Sequence, residues 1–485
     1  MTPTDQRRSS VPSVSRVLCA PAELIVVTHG GSGSVAPGVL RDSLAAEARL
    51  TGLLPPGARL TRIFGPADRV RSRLVATERE SAAGEYLNYF TVHGAGVDPE
   101  AVARRLREDE VVDGAYVKPA TELPIAPGHR ANRDLAPVPS VTPDFGARQG
   151  YLDAAPRGVN ARWAWTRPGG RGAGVRVIDI EGAWRFTHEN LTGNQGGVIG
   201  GESTGDAGWR NHGTAVAGVI SGDLDGLGIT GIAPEATIRA VSIFGGGSAA
   251  AVRAAADALA PGDVILLELH RPGPRRDFRN RPDQMGYIPV EWWPDDLAAI
   301  RYAGARGIAV VAAAGNGGED LDADLYDVRP ADFPSTWRNP FRGGAEDSGA
   351  ILVGAGAPPR GTHGNDHGPA RSRLAFSNYG SRLDVQAWGL EVTATGYGDL
   401  QGGGDEDYWY TDVFSGTSSA SPIVVGAIAC SQGIAAHGAG RRGPAEIREL
   451  LRTTGSAQQS APDRPVVQRI GALPDIRDLA GEATR

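Results

Sequence analysis

Phe414-Ser-Gly-Thr-Ser-Ser-Ala-Ser-Pro422 is the stretch on which the reading of this chain turns. A Gly-Thr-Ser turn runs into small residues, then Pro422, then the apolar run 423–429. Proline is tolerated in the first turn of a helix, where its missing N–H has no intrahelical partner to lose. The stretch therefore predicts a helix that opens on Ser418. Unpaired N–H groups at a helix start favour negative charge, so a serine there sits where a developing oxyanion is stabilised. The plainer reading is a Ser/Thr cap on a buried helix. The two separate on whether the chain also carries a base for the serine and an acid to orient that base.

It carries both. Asn211-His-Gly-Thr-Ala-Val-Ala-Gly218 puts His212 at the start of a second helix of small residues, and Gly174-Val-Arg-Val-Ile-Asp-Ile180 reads as a buried strand delivering Asp179. A neutral imidazole can take a serine proton while a carboxylate on its other nitrogen holds the required tautomer. Val311-Ala-Ala-Ala-Gly-Asn-Gly317 ends another strand on Asn316, an amide able to donate to an oxyanion together with the Ser418 N–H.

Composition bounds the rest. A length of 485 residues favours two domains. The 68 glycines, set between apolar strands, suit a tightly wound α/β protein rather than a disordered one. Lys118 is the only lysine among the basic residues. A net charge of −7 with no basic stripe argues against nucleic acid as a partner. Cys19 and Cys430 read as two free thiols, not a disulfide framework. The first ten residues carry charge but no apolar run follows them, so no secretory signal and no membrane span are visible, and cytoplasmic residence is favoured over secretion.

In this order and spacing, the four strings resemble the Asp, His, Asn and Ser motifs of the subtilisin-like (subtilase) serine peptidases, over roughly residues 149–480. The resemblance implies an α/β fold with a parallel sheet and helices on both faces. It also implies a serine endopeptidase that acts on peptide or protein substrates through an acyl-enzyme. Ser418 would be the nucleophile, His212 the base, Asp179 the orienting acid, and Asn316 part of the oxyanion hole. Two rivals are a non-catalytic protein-binding relative on the same scaffold and a processing peptidase dedicated to one partner.

In this family substrate lies as an extended strand against the enzyme's own edges. By resemblance those edges are Glu268-Leu269-His270 and Gly245-Gly246. The first usually reads Ser-Leu-Gly, and Asp179-Ile-Glu-Gly182 stands where Asp-Ser-Gly or Asp-Thr-Gly is usual. Glu181 or Glu268 is expected to reach the reactive centre and raise the His212 pKa, or to select basic substrate residues, or to be held structurally. Arg271 to Trp293 is an insertion whose Tyr287, Glu291, Trp292 and Trp293 grip substrate or cover an apolar edge. The loop Ser221 to Pro234 resembles one that wraps a structural calcium ion in many relatives. The implied ligands are Asp225, with Asp223, Leu227 and Ile229 of the same loop, Asn190 in place of the usual acid, and Gln149. No organic cofactor is implied.

Along the chain, residues 1–20 read as disordered, 21–119 as a small α+β domain, 120–148 as a proline-rich linker, and 149–480 as the peptidase-like domain. The order strand, helix, strand, strand, helix, strand in the small domain suggests a ferredoxin-like sandwich. That topology resembles the folding-assistant propeptide of subtilases, with a permanent docking domain as the alternative.

Overall fold

The computed structural model describes residues 20–30, 37–66, 68–70, 72, 84–94, 96–125, 135–137 and 139–482. Residues 1–19, expected to be disordered, and linker residues 126–134 lie outside that range.

The small domain forms in the order read from sequence: β1 (Glu23–Thr28), α1 (Pro37–Leu53), β2 (Arg59–Arg62), β3 (Tyr89–His93), α2 (Pro99–Leu106) and β4 (Val112–Lys118). Asp98 caps α2 by accepting from Glu100 N and Ala101 N, with Pro99 at the first helical position. The sheet order is β2-β3-β1-β4, with β1 antiparallel to both neighbours. In β1, Leu24 and Val26 face α1 and α2, whereas Ile25 and Val27 face the other way. Alternation along a strand sends successive side chains to opposite faces, so a strand apolar on both faces needs a cover on each. The second cover is the large domain.

That domain adds β5 (Arg176–Glu181), β6 (Gln195–Gly200), α3 (Ala207–Ser221), β7 (Thr237–Ser242), α4 (Ser248–Ala258), β8 (Val264–Leu267), β9 (His270–Pro272) and β10 (Tyr287–Pro289). It continues with α5 (Pro294–Ala305), β11 (Ala309–Ala313), β12 (Ile351–Gly356), β13 (Val385–Trp388), β14 (Val392–Thr395), β15 (Tyr410–Phe414), α6 (Thr417–Ala436) and α7 (Pro444–Thr453). Seven strands make one sheet in the order β13-β12-β11-β8-β5-β7-β6, every pair parallel. One face packs on α3 and α6, the other on α4 and α5. Helix α6 is long and apolar enough to cross a bilayer, but it is the core helix, buried along nearly its whole length.

The β1–β4 sheet lies on α4 and α5, with Tyr86, Tyr89 and Tyr116 in the same apolar cluster as Val252 and Tyr302. At the centre of this contact the only lysine is fully buried. Lys118 Nζ reaches Asp295 Oδ2 at 2.5 Å, Asp296 Oδ2 at 3.1 Å, Glu23 Oε2 at 3.1 Å and Ser248 Oγ at 3.0 Å. Arg271 pairs with Glu23 beside it. Burial alone would raise the Glu23 pKa, but Lys118 and Arg271 outweigh it and hold that carboxyl at about 2. Burial wins at Asp296, whose pKa rises to about 7.

Removing the cation of a buried ion cluster strands its anions and costs about 3–5 kcal/mol. Lys118→Ala is therefore expected to lower the thermal midpoint and expose the N-terminal domain to limited proteolysis, with partial recovery when Asp295 and Asp296 are also made Asn. A raised folded pKa keeps a proton that the unfolded carboxyl releases near 3.8, so Asp296 costs stability as pH climbs from there to about 7. Asp296→Asn should flatten that part of the stability–pH curve.

Candidate active site

Strand parity assembles the site. Val177 and Leu266 face α3 and α6, while Ile178, Ile180 and Leu267 face α4 and α5. Asp179 and Glu181 therefore share the face of Val177, and Glu268 continues the face of Leu266 on the adjoining strand. The Glu268 N–H bonds the Ile180 carbonyl at 3.3 Å, which sets the glutamates side by side where β5 and β8 end. Carboxyl ends of parallel strands are where open α/β sheets place their sites. His212 comes from α3, Ser418 from the first turn of α6, and Asn316 from the loop after β11. These three and the three acids are fully buried.

His212 lies one and a half turns into α3, which starts earlier than the sequence suggested because Asp206 caps it by accepting from Trp209 N at 3.0 Å. Likewise α6 begins at Thr417, so Pro422 falls past the first turn. His212 Nδ1 is 2.8 Å from Glu181 Oε2, and Nε2 has no hydrogen-bond partner. The carboxylate on the imidazole is thus Glu181, where Asp179 was expected. Asp179 accepts instead from Trp184 Nε1 at 2.7 Å and hydrogen-bonds the Glu181 carboxyl. A single proton between those two acids satisfies oxygens that otherwise lack a donor, Asp179 Oδ1 and Glu181 Oε1. Gly213 is required here: a Cβ would stand 2.3 Å from the Ala183 carbonyl oxygen and 2.6 Å from the Trp184 ring.

Burial is the dominant charge effect. It raises Asp179, with the nearby Glu181 adding to it, and it raises Glu181 and Glu268 as well. Burial also lowers His212 to about 3, although the charge of Asp179 pulls the other way. The upward tuning of His212 considered from sequence is outweighed because the imidazole is cut off from water.

Asn316 is anchored at its oxygen, which accepts from Thr417 N and Thr417 Oγ1, both at 3.0 Å. That leaves Nδ2 directed at the Gln284 Oε1, 3.3 Å away. Gln284 belongs to the insertion, is almost fully buried and has left-handed backbone (φ 55°). Gly317 lets the insertion approach, since a Cβ there would lie 2.1 Å from the Tyr287 carbonyl oxygen. Ser418 Oγ donates to the Pro124 carbonyl at 3.1 Å.

Pro124 lies in the stretch read as linker, and residues 120–125 occupy the cleft. Glu122 pairs antiparallel with His270, and Leu123 and Pro124 are buried. The segment is not the free spacer its prolines suggested. Of the expected substrate contacts, His270 makes its own through the main chain. Leu269 is a core residue, and Glu268 turns inward to accept from Ser421 Oγ at 2.7 Å. Gly245 and Gly246 line a cleft with residues 20–23 of the small domain. Trp292 is buried against Phe278 and Phe333 and Trp293 against Trp292, so they cover an apolar edge, and Glu291 pairs with buried Arg382.

Residues 198–469 match the family model described as Subtilase family. The chain belongs to the subtilase family. Subtilisin BL of Lederbergia lenta is 28% identical over 264 residues, spanning 53% of this chain and 76% of that one. The thermophilic serine proteinase of Bacillus sp. strain AK1 is 29% identical over 328 residues, 64% of each chain. This subtilase is thus a subtilisin-like serine endopeptidase by kinship. Among solved structures, fervidolysin from Fervidobacterium pennivorans, a keratinolytic enzyme related to subtilisin, is 17% identical with a TM-score of 0.54, and the match covers 96% of this chain and 62% of that one. At that identity the likeness concerns fold alone. The family match contains His212, Asn316 and Ser418 but starts after Asp179 and Glu181, the segment where the acid motif departs.

Of the six residues implied as calcium ligands, the four with side-chain oxygens do not fit a cation. Gln149 Oε1 accepts from Thr230 N at 2.9 Å, and Asn190 Oδ1 accepts from Ile229 N at 2.9 Å. The Asp223 carboxylate takes the Thr192 and Gly193 N–H groups. Asp225 is exposed and caps its own turn through Leu227 N at 3.0 Å. The loop presents N–H donors to these oxygens, whereas calcium needs several free oxygens pointing inward. Among the described residues, no group of three or more His, Cys, Asp or Glu side chains could hold a metal ion. Added calcium or EDTA is expected to move the thermal midpoint by less than about 1 °C, because a ligand stabilises only what it binds. A rise of several degrees with calcium contradicts the misfit.

Proposed function

We propose that this subtilase cuts internal peptide bonds through an acyl-enzyme in which Glu181, not Asp179, orients the imidazole. Ser418 attacks the carbonyl carbon, and its proton passes to His212 Nε2. Glu181 accepts the Nδ1–H and carries the charge that balances the imidazolium. Asn316 Nδ2 and the Ser418 N–H stabilise the oxyanion, and His212 then returns the proton to the leaving amine. The observation that carries this reading is the 2.8 Å contact of His212 Nδ1 with Glu181, with Nε2 left unpartnered. Asp179 acts one step removed, by keeping its proton and donating a hydrogen bond to Glu181 while Trp184 holds Asp179 in place.

The N-terminal domain fits the role of a propeptide-like inhibitor. Its linker crosses the nucleophile, while Gln284 holds the Asn316 amide that a reacting carbonyl needs. In that state burial disfavours both the imidazolium and a second ionised carboxyl, which keeps His212 neutral and one proton shared by Asp179 and Glu181. Admitting water and substrate relaxes both shifts together.

Ser418→Ala is expected to abolish peptide hydrolysis and labelling by a fluorophosphonate probe. Glu181→Gln should lower kcat by about three to four orders of magnitude, the loss typical when the orienting carboxylate of a serine triad is neutralised. Asp179→Asn keeps a donor to Glu181 and should cost only about tenfold. Steady-state kinetics of the two variants decide the assignment, and a larger loss in Asp179→Asn returns the orienting role to Asp179.

A further inference from the structure

Residues 120–125 lie in the cleft as a peptide does. The Glu122 N–H donates to the His270 carbonyl at 3.3 Å, and the His270 N–H donates back to the Glu122 carbonyl at 3.4 Å. Two residues on, the Pro124 carbonyl faces Ser418. A strand places Glu122 and Pro124 on one face and Leu123 on the other, so Glu122 marks where the second side chain before the acyl residue goes.

That side chain meets a built receptor in the insertion. Tyr287 Oη donates to Glu122 Oε1 at 2.9 Å, and Asn280 Nδ2 donates to the same oxygen at 3.0 Å. The phenol's direction is set, because its oxygen already accepts from Arg281 N at 3.0 Å and its one proton is left for the carboxylate. Both nearest groups are therefore donors. Between Gly273 and Gly286 the insertion carries Arg275, Arg276, Arg279 and Arg281 against Asp277 and Asp283; with Arg275 paired to Glu319 and Arg281 to Asp283, a small positive surplus remains on the segment.

We propose that Asn280 and Tyr287 form a specificity subsite that selects a carboxylate side chain two residues before the residue whose carbonyl is attacked. The proposal rests on the serine-peptidase reading above. An acceptor side chain satisfies both donors, an ionised one more strongly than an amide. A leucine leaves the phenol unpaired, and a lysine sets an ammonium against two donors and the arginines. The linker's Glu122 occupies the subsite in cis and uses the same recognition to stay seated.

The test is a set of peptides on the linker sequence around Glu122 to Ile125, differing only in Glu, Gln, Leu or Lys at the Glu122 position. The seated linker competes equally with every peptide, so ratios of kcat/KM on the full chain are unaffected by it. The Glu peptide is expected to exceed the Leu peptide by about tenfold, with Gln between and Lys lowest, the size of one charge-assisted hydrogen bond. Asn280→Asp, at an exposed position, should reverse the Glu and Lys order. Tyr287→Phe should erase most of the preference, while Glu122→Lys should loosen the linker and speed cleavage of all four peptides. Calorimetric affinities of the same peptides for Ser418→Ala should follow the same order without catalysis. Equal rates across the four peptides overturn the subsite and leave the peptidase reading standing. The affinity order without any cleavage by the unaltered chain overturns the peptidase reading and leaves the subsite.

Discussion

Everything at this site depends on three carboxyl groups held in a dry pocket on one face of two neighbouring strands. Asp179, Glu181 and Glu268 have no exposed surface, and each is pushed toward its neutral form. Like charges so placed cannot all ionise, so the cluster must share protons or pair with a cation. Among the described residues His212 is the titratable base in contact with it, through Glu181. A neutral imidazole with a bare Nε2 is what a base needs before it acts, and the imidazolium formed in the reaction needs the carboxylate at Nδ1. The same burial that keeps the imidazole neutral at rest makes that ion pair strong once formed, since charge interactions gain as water leaves.

The small domain answers a different constraint with the same physics. Its four-stranded sheet is apolar on both faces and cannot face water on either. Helices α1 and α2 cover one face, and α4 and α5 of the large domain cover the other. Lys118 pins that contact, surrounded by Glu23, Asp295 and Asp296. Docking there sets where β4 ends, and the residues that follow β4 run directly into the cleft. The position of Pro124 at Ser418 is thus tied to the packing of the sheet on α4 and α5.

Much of this was legible in the chain. Uninterrupted apolar runs mark β8, β11 and β12, while the acids that interrupt β5 are those it delivers to the site. Ser418 in the first turn of α6 and Asn316 after β11 stand where sequence placed them, whereas His212 lies deeper in α3 than its motif suggested. Glu181 was within reach as well: two residues after Asp179 in a strand, it had to share its face, and Glu268 follows Leu266 by the same rule. What parity does not give is which acid is nearer the imidazole, because that depends on the depth of α3 and on the Trp184 indole claiming Asp179. The seat of the linker was hidden because proline content reports a lack of regular structure, not where an extended segment lies. Around the loop expected to wrap calcium the side-chain oxygens accept from backbone N–H groups, which only hydrogen-bond geometry reveals.

The central claim is that Glu181 holds the Nδ1 proton of His212. The most direct measurement is the low-field proton resonance of that N–H by NMR in the unaltered chain, in Glu181→Gln and in Asp179→Asn. The account predicts a strongly deshielded signal that is lost in Glu181→Gln and kept in Asp179→Asn. A signal that survives in Glu181→Gln and vanishes in Asp179→Asn would contradict it.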